Sequence, residues 1–282
     1  MRQGRGTGIY RDYLPWHRVG RGDPASVGRS HLMMWRERHR ELLSDGEMVG
    51  LLFATMLTNL GDLREQHKLS LEDGQFELSE YDIRFSDHLV PGTRSIAKKL
   101  GLKHPRVNGD GRSEYWQMST DQVLVLKQDP GELELLAVAY KPDRWLSKRG
   151  QELLRIEKEY WAARCVTWIL ITPDIYEESV GVTLSRVAPW ALGAQASPQA
   201  VEAAVAIANH CLGHSWTYTH DVIAEYLGDA DLAKRAFWQA VWFGILPVNL
   251  RMGWRPHLPL QILHADCFAA LNPVASRRSA WN

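Results

Sequence analysis

An α/β domain followed by a smaller, mostly helical one is the fold class that the sequence predicts, on three observations. Between residues 45 and 172 strand-like and helix-like patterns alternate, as expected where helices are layered on a sheet. Within that region, QMSTDQVLVLKQDPGELELLAVAYK at 117–141 sets two Val- and Leu-rich runs on either side of Asp129-Pro130-Gly131, a hairpin signal. After Pro173 the pattern turns helical. At 282 residues and 45% apolar content, the chain is long enough to build a core in each part. The expected boundaries are a basic lead-in at 1–44, the α/β domain at 45–173 and the helical domain at 174–282.

The lead-in carries arginines at 2, 5, 11, 18, 21, 29, 36, 38 and 40 against Asp12, Asp23 and Glu37, an excess of six positive charges by residue 40. A Gly-rich arginine arm can follow phosphates and gain affinity by counterion release. A solvated tail is the plainer alternative, against which stand Tyr10, Tyr13 and Trp16, aromatics dense enough to pack on something. Ser44 is a good N-cap and opens a helix whose Leu51, Leu52, Phe53 and Met56 suit a buried side. A strand near DLREQHKLSL (62–71), the hairpin, a helix from about Lys148 to Ala163 and the strand CVTWILIT (165–172) complete the α/β part.

Beyond Pro173 come SPQAVEAAVAIANHCL, THDVIAEYL, a break at Gly228-Asp229, and DLAKRAFWQAVWFGIL. Short strand-like runs around VNLRM and LPLQIL follow, so that two helices, a tight break and trailing strands suggest a winged-helix-like shape. Lys234 and Arg235 are placed to touch phosphates, while Phe237, Trp238, Trp242 and Phe243 read as core. Seven Arg or Lys stand against nine Asp or Glu from Asp174 onward, which favours a protein-docking module over an independent DNA reader.

Composition points to a cytoplasmic protein. The longest apolar runs fall far short of the ~20 residues needed to cross a bilayer, and MRQGRGTG lacks the apolar centre of a signal peptide. Three cysteines do not form a disulfide framework. His210, Cys211, His214, His264 and Cys267 include zinc-ligating residue types, but their spacing fits no dense Cys/His pattern.

The hairpin has a predictable register. If opposite residues sum to about 260, Asp121 faces Ala139 and is the diagonal neighbour of Lys141 on the same face, within roughly 7–8 Å. A carboxylate that holds a cation beside an ammonium is what phosphodiester hydrolysis needs, because charge develops on both attacking and leaving oxygens. An ordinary exposed strand pair is the alternative. Glu47 in the first turn after Ser44 has two readings too: a capping box folded onto the Ser44 amide, or a carboxylate aimed at a metal ion.

In order and spacing, GRGTGIYRDYLPW, VGRSH at 27–31, LLSDGE at 42–47, DLREQ, KHP at 103–105, MSTD at 118–121, Lys141-Pro142 and EKEYWAARCVTWILIT resemble TnsA, the endonuclease subunit of Tn-seven-like transposons. The resemblance runs from about Gly4 to Pro173. It implies a restriction-endonuclease-like fold of the PD-(D/E)XK type, a mixed central sheet flanked by helices. Residue by residue, it makes Glu47 the helix carboxylate, Asp121 the strand carboxylate and Lys141 the lysine of a magnesium-dependent endonuclease. The implied cofactor is two magnesium ions, with manganese a substitute. Asp121 would anchor one, Glu47 a second or its water, and Lys141 would orient the attacking water. Ala139 departs from the pattern, which usually has an acidic or amide side chain there; the Tyr140 carbonyl is the main-chain donor that could stand in.

The implied reaction gives a 3′ hydroxyl and a 5′ phosphate, with no covalent enzyme intermediate, at the 5′ ends of a transposon. The implied partners are double-stranded DNA at the transposon ends, a TnsB-like transposase that cuts the 3′ ends and a TnsC-like ATPase regulator, with no membrane. Arg5, Arg11, Arg29 and Lys103 offer the DNA contacts. Arg64, Glu65 and Gln66 are either substrate-facing or structural, and Glu157 reads as an orienting or solvated residue. Two other functions stay open: a stand-alone restriction or repair-type nuclease, and an adaptor that has lost catalysis.

Overall fold

The computed structural model describes residues 4–20, 29–109, 111–129, 131–142, 146–252 and 255–281. The chain divides into two compact units: Met1–Met48, Asn59–Thr172 and Ser279–Asn282 form the first, Val49–Thr58 and Pro173–Arg278 the second.

The first unit opens with an antiparallel hairpin of β1 (His31–Trp35) and β2 (Arg38–Leu42), followed by the start of α1 (Asp45–Thr55). Next come β3 (Leu60–Lys68), the short pair β4 (Gly74–Gln75) and β5 (Leu89–Val90), and α2 (Thr93–Lys99). A second small hairpin of β6 (Arg106–Gly109) and β7 (Arg112–Tyr115) leads into β8 (Ser119–Gln128), β9 (Glu132–Tyr140), α3 (Lys148–Ala162) and β10 (Thr167–Ile171).

The central sheet runs β10-β9-β8-β3. β8 pairs antiparallel with both β3 and β9, whereas β10 lies parallel to β9, as a helical crossover through α3 requires. The sheet is therefore mixed, as expected, and the hairpin register is the expected one, with Gln122 opposite Val138 and Val123 opposite Ala137. Gly131 takes φ +90° in the turn, a conformation that suits a residue without Cβ; Pro130 lies outside the described residues. One sheet face is closed by α3. Its Leu154, Ile156, Tyr160 and Trp161 share a buried cluster with Val123, Val125, Leu135, Ala137 and Ala139. Ser147 caps the helix by accepting from the Gly150 amide.

The lead-in is not a solvated tail over residues 4–20. Tyr13 is buried with its hydroxyl donating to the Glu65 carbonyl at 3.1 Å, and the Trp16 amide donates to the Gln66 carbonyl at 3.1 Å. Arg2, Arg21 and Asp23, counted in its charge, lie outside the described residues.

The second unit holds α4 (Glu178–Ala191), α5 (Pro198–His210), α6 (Trp216–Leu227), α7 (Ala230–Trp242) and α8 (Ala265–Ala269). Gly228 ends α6 in the left-handed region at φ +70°, and Asp229 at once caps α7. The break read from the sequence is thus a helix stop joined to a helix start. α4 was not expected. The two strand-like runs meet at an antiparallel bridge, Val248 to Ile262, with the Asn249 amide donating to the Gln261 carbonyl and the Leu263 amide to the Pro247 carbonyl, both at 2.8 Å; Pro259 of the second run bridges to Ser215, and Leu250–Met252 forms a 3-10 turn. Pro247 and Pro259 keep these pairings short, since each lacks a donor that a longer ladder would use. No described helix is long and apolar enough to cross a membrane.

Candidate active site

Lys141, just past the end of β9, donates from Nζ to Asp121 Oδ2 at 3.0 Å and to the Tyr140 carbonyl at 2.8 Å. Asp121 Oδ2 also accepts the Tyr140 amide at 2.7 Å, so the carboxylate is fixed by both the strand and the ammonium. The Asp121 side chain is 14% exposed and that of Lys141 31%, which leaves an edge open to a ligand. The Tyr140 carbonyl, offered to a metal in the sequence reading, is here engaged by the lysine.

Glu47 is buried at the first turn of α1, where it takes part in the cap. Its amide donates to Ser44 Oγ at 3.2 Å, which is the cap, but its carboxylate folds back onto the Leu43 amide at 2.9 Å and not onto that of Ser44. The Gln66 side-chain amide donates to the same oxygen at 2.8 Å, and the Gln122 amide holds the Glu47 carbonyl at 2.8 Å. Burial and then the charge of Asp121 push the Glu47 carboxyl up to about 7. The carboxylate is therefore within electrostatic reach of the hairpin site.

A further acid belongs here. Glu157 on α3 is buried, accepting from Thr120 Oγ1 at 2.8 Å and from the Trp168 indole at 3.2 Å, while the Trp161 indole holds Thr120 Oγ1 at 2.8 Å. Burial first, with Asp121 adding to it and Lys141 opposing, drives its carboxyl up to about 7. The solvated alternative for Glu157 is thus overturned. Burial alone would lower the Lys141 ammonium, but Asp121, then Glu157 and Glu47, outweigh it and hold the pKa above its ordinary value.

Three carboxyl groups thus act on one ammonium; burial is the first cause that raises Glu47 and Glu157, and the charge of Asp121 adds to both. Asp121 and Glu47 are the carboxylates that would hold a divalent cation. Among the described residues no three His, Cys, Asp or Glu side chains are grouped so as to hold an ion. Ala139 adds no donor and sits fully buried in the cluster under α3.

The DLREQ residues are buried and bond within the fold, which is the structural one of the two uses left open. Gln66 reaches Glu47, whereas Glu65 is fully buried and ion-paired with Arg38 at 2.6 Å and Arg40 at 3.4 Å, and Arg64 pairs with Glu80 at 3.0 Å. The residues expected on DNA do not gather at the site. Arg5 is tied inward, to Glu41 at 2.7 Å and to the His17 carbonyl at 3.0 Å, so its guanidinium serves the fold. Arg29 is exposed and pairs with Asp45 at 3.0 Å; Arg11 and Lys103 are exposed.

No family model matches the chain. Among curated proteins it is 31% identical over 175 residues to the transposon Tn7 transposition protein TnsA of Escherichia coli, a match covering 61% of this chain and 54% of that protein. The chain thus spans about half the length of the curated relative that it matches. Over its matched part the chain is similar to TnsA, and its first unit holds a mixed sheet flanked by helices.

Proposed function

We propose that this chain is a magnesium-dependent DNA endonuclease that hydrolyses the phosphodiester at the 5′ ends of a transposon, together with a TnsB-like transposase and a TnsC-like ATPase regulator. The observation that carries the reading is the meeting of Asp121 and Lys141 at the open end of the hairpin, within electrostatic reach of Glu47. Asp121 and Glu47 would hold magnesium, and manganese would substitute. When bound, the metal supplies Lewis-acid charge for the attacking and leaving oxygens.

The chain's own residues do the rest. Lys141, pinned by Asp121 and the Tyr140 carbonyl, presents its ammonium where a scissile phosphate would gather charge and where an attacking water needs a fixed donor. Gln66 and the Leu43 amide hold Glu47 in one orientation, and Glu157 sets the charge around Lys141 from the α3 side. The mixed sheet with its crossover helix supports a restriction-endonuclease-like reading of the first unit. We read the helical second unit, with its net negative charge, as a winged-helix-like derivative that docks a protein partner.

The test is strand-specific cleavage of a plasmid carrying transposon ends, in magnesium, with and without the neighbouring transposase and ATPase. Cuts at the 5′ ends that need those partners support the proposal. Efficient cutting by the chain alone would point instead to a stand-alone nuclease, and no cutting under any condition to an adaptor, which would tolerate Ala139.

A further inference from the structure

We propose that the β6–β7 hairpin is a DNA-reading ribbon that inserts into a groove of duplex DNA beside the cleavage position; this rests on the nuclease reading above. All eight residues of the two strands are exposed, so the ribbon stands away from the sheet that precedes and follows it in the chain. A ribbon exposed on both faces contributes little to a core. Two-stranded ribbons of this kind are narrow enough to enter the major groove.

Charge identifies the occupant. The chain as a whole has no net charge, yet residues 98–116 carry Lys98, Lys99, Lys103, Arg106 and Arg112 against Asp110 and Glu114, a surplus of three. Among the described residues none of these five cations is ion-paired. Arg106 bonds only to Ser113, through its hydroxyl at 2.9 Å and its carbonyl at 2.8 Å. Its guanidinium and that of Arg94 lie 4.5 and 4.3 Å from the centre of the Tyr115 ring, so two like charges are gathered on one side chain at the root of the ribbon. Arg94 has Glu72 as a counter-ion, and Arg106 has no such partner among the described residues. Cations held in place without carboxylates match a phosphate backbone, where each contact releases counterions.

The register divides the ribbon by face. Arg106 stands opposite Tyr115 and Asn108 opposite Ser113, which gives one polar side able to reach base edges; Val107 opposite Glu114 and Gly109 opposite Arg112 make the other. The ribbon is also tethered to the chemistry. Six positions separate Tyr115 from Asp121, which limits them to roughly 20 Å even if fully extended, about one duplex width. A duplex held by the ribbon would therefore present a phosphate near Asp121.

The experiment measures binding of the full chain to a fluorescein-labelled duplex by anisotropy, without magnesium, across a salt series, with cleavage of the same duplex in magnesium recorded separately. Arg106→Ala with Arg112→Ala is expected to weaken binding on the order of tenfold and to make the slope of log affinity against log salt shallower by about two. Glu114→Lys is expected to tighten binding and steepen the slope, a gain that misfolding cannot produce. Arg106→Lys with Arg112→Lys should restore most of the salt slope. Unchanged affinity and slope in the double alanine variant, or no gain from Glu114→Lys, would overturn the assignment and leave the ribbon to an acidic protein partner. A wild-type chain that binds through the ribbon but does not cut even with the transposase and ATPase added would instead remove the nuclease reading and leave DNA binding by the ribbon standing.

Discussion

Lys141 and Asp121, twenty positions apart on one hairpin, are joined by an ion pair of 3.0 Å, with the Tyr140 carbonyl as the second acceptor of the same ammonium. The carboxylate has little freedom, because the Tyr140 amide donates to the oxygen that Lys141 holds. Asp121 therefore positions the lysine.

Asp121→Ala is expected to abolish 5′-end cleavage while the fold and partner binding survive. A mostly buried ion pair is lost, so a stability loss of about 1–3 kcal/mol is expected in chemical denaturation. Cleavage at the wild-type rate by the folded variant would remove Asp121 from the site.

Glu47 separates cap from ligand because its amide serves the cap, while its carboxylate is the group proposed for the metal. Glu47→Gln keeps the amide bond to Ser44 and one acceptor oxygen, so stability should change by about 1 kcal/mol or less while cleavage falls sharply. Ser44→Ala removes the cap, costing about 1 kcal/mol, and should leave cleavage near normal below its lower melting temperature. If Glu47→Gln cuts normally and Ser44→Ala does not, the carboxylate is structural only.

The hairpin, its register and the helices after Ser44 and Lys148 were legible because their signals are local: a turn tripeptide, alternating apolar residues, a capping serine. The β1–β2 hairpin was not legible, since its turn uses Arg36 and Glu37 at φ +48° and +63°, where a sequence reader looks for Asn or Gly. The β6–β7 strands were hidden by Arg, Asn, Gly and Ser, residues that carry no alternating apolar signal. Gly181 and Pro189 disguised α4. At the site, the positions of Glu47, Asp121 and Lys141 could be read, but the burial of Glu157 depends on where α3 docks, and the inward pairing of Arg5 on where the lead-in folds back. Neither is written in a local pattern.

Glu157 predicts a pH effect of definite sign. Its folded-state value of about 7 lies above the ordinary 4.5, so the folded protein binds the proton more tightly than the unfolded chain does. The stability this provides is fully present below about pH 4.5 and is lost as pH rises through about 7, by up to about 3 kcal/mol. Glu157→Gln retains an oxygen for Thr120 and Trp168 and removes the titration. Without metal, its stability should fall less between pH 5 and 8 than that of the wild type, by roughly the same amount. Parallel pH profiles for the two proteins would show that Glu157 does not titrate in this window.

Ala139 is the remaining test, because the structure adds burial to what the register implies. The pairing that sets Gln122 opposite Val138 puts residue 139 across from Asp121, yet its methyl group is fully buried in the cluster with Tyr160, Trp161 and Trp168. A carboxylate there would be desolvated and would face the charge of Asp121, so Ala139→Glu should destabilise the metal-free protein by about 2–5 kcal/mol and titrate at a raised pKa. A divalent ion that the new carboxylate reaches would recover much of that loss by binding the folded state. Magnesium should therefore raise the melting temperature of Ala139→Glu more than that of the wild type, and half-maximal cleavage should need less magnesium. Both quantities come from one titration series on folded protein. An equal magnesium-induced shift in the two proteins would mean that position 139 looks into the core and not toward the ion, and that the metal depends on Asp121 and Glu47 alone.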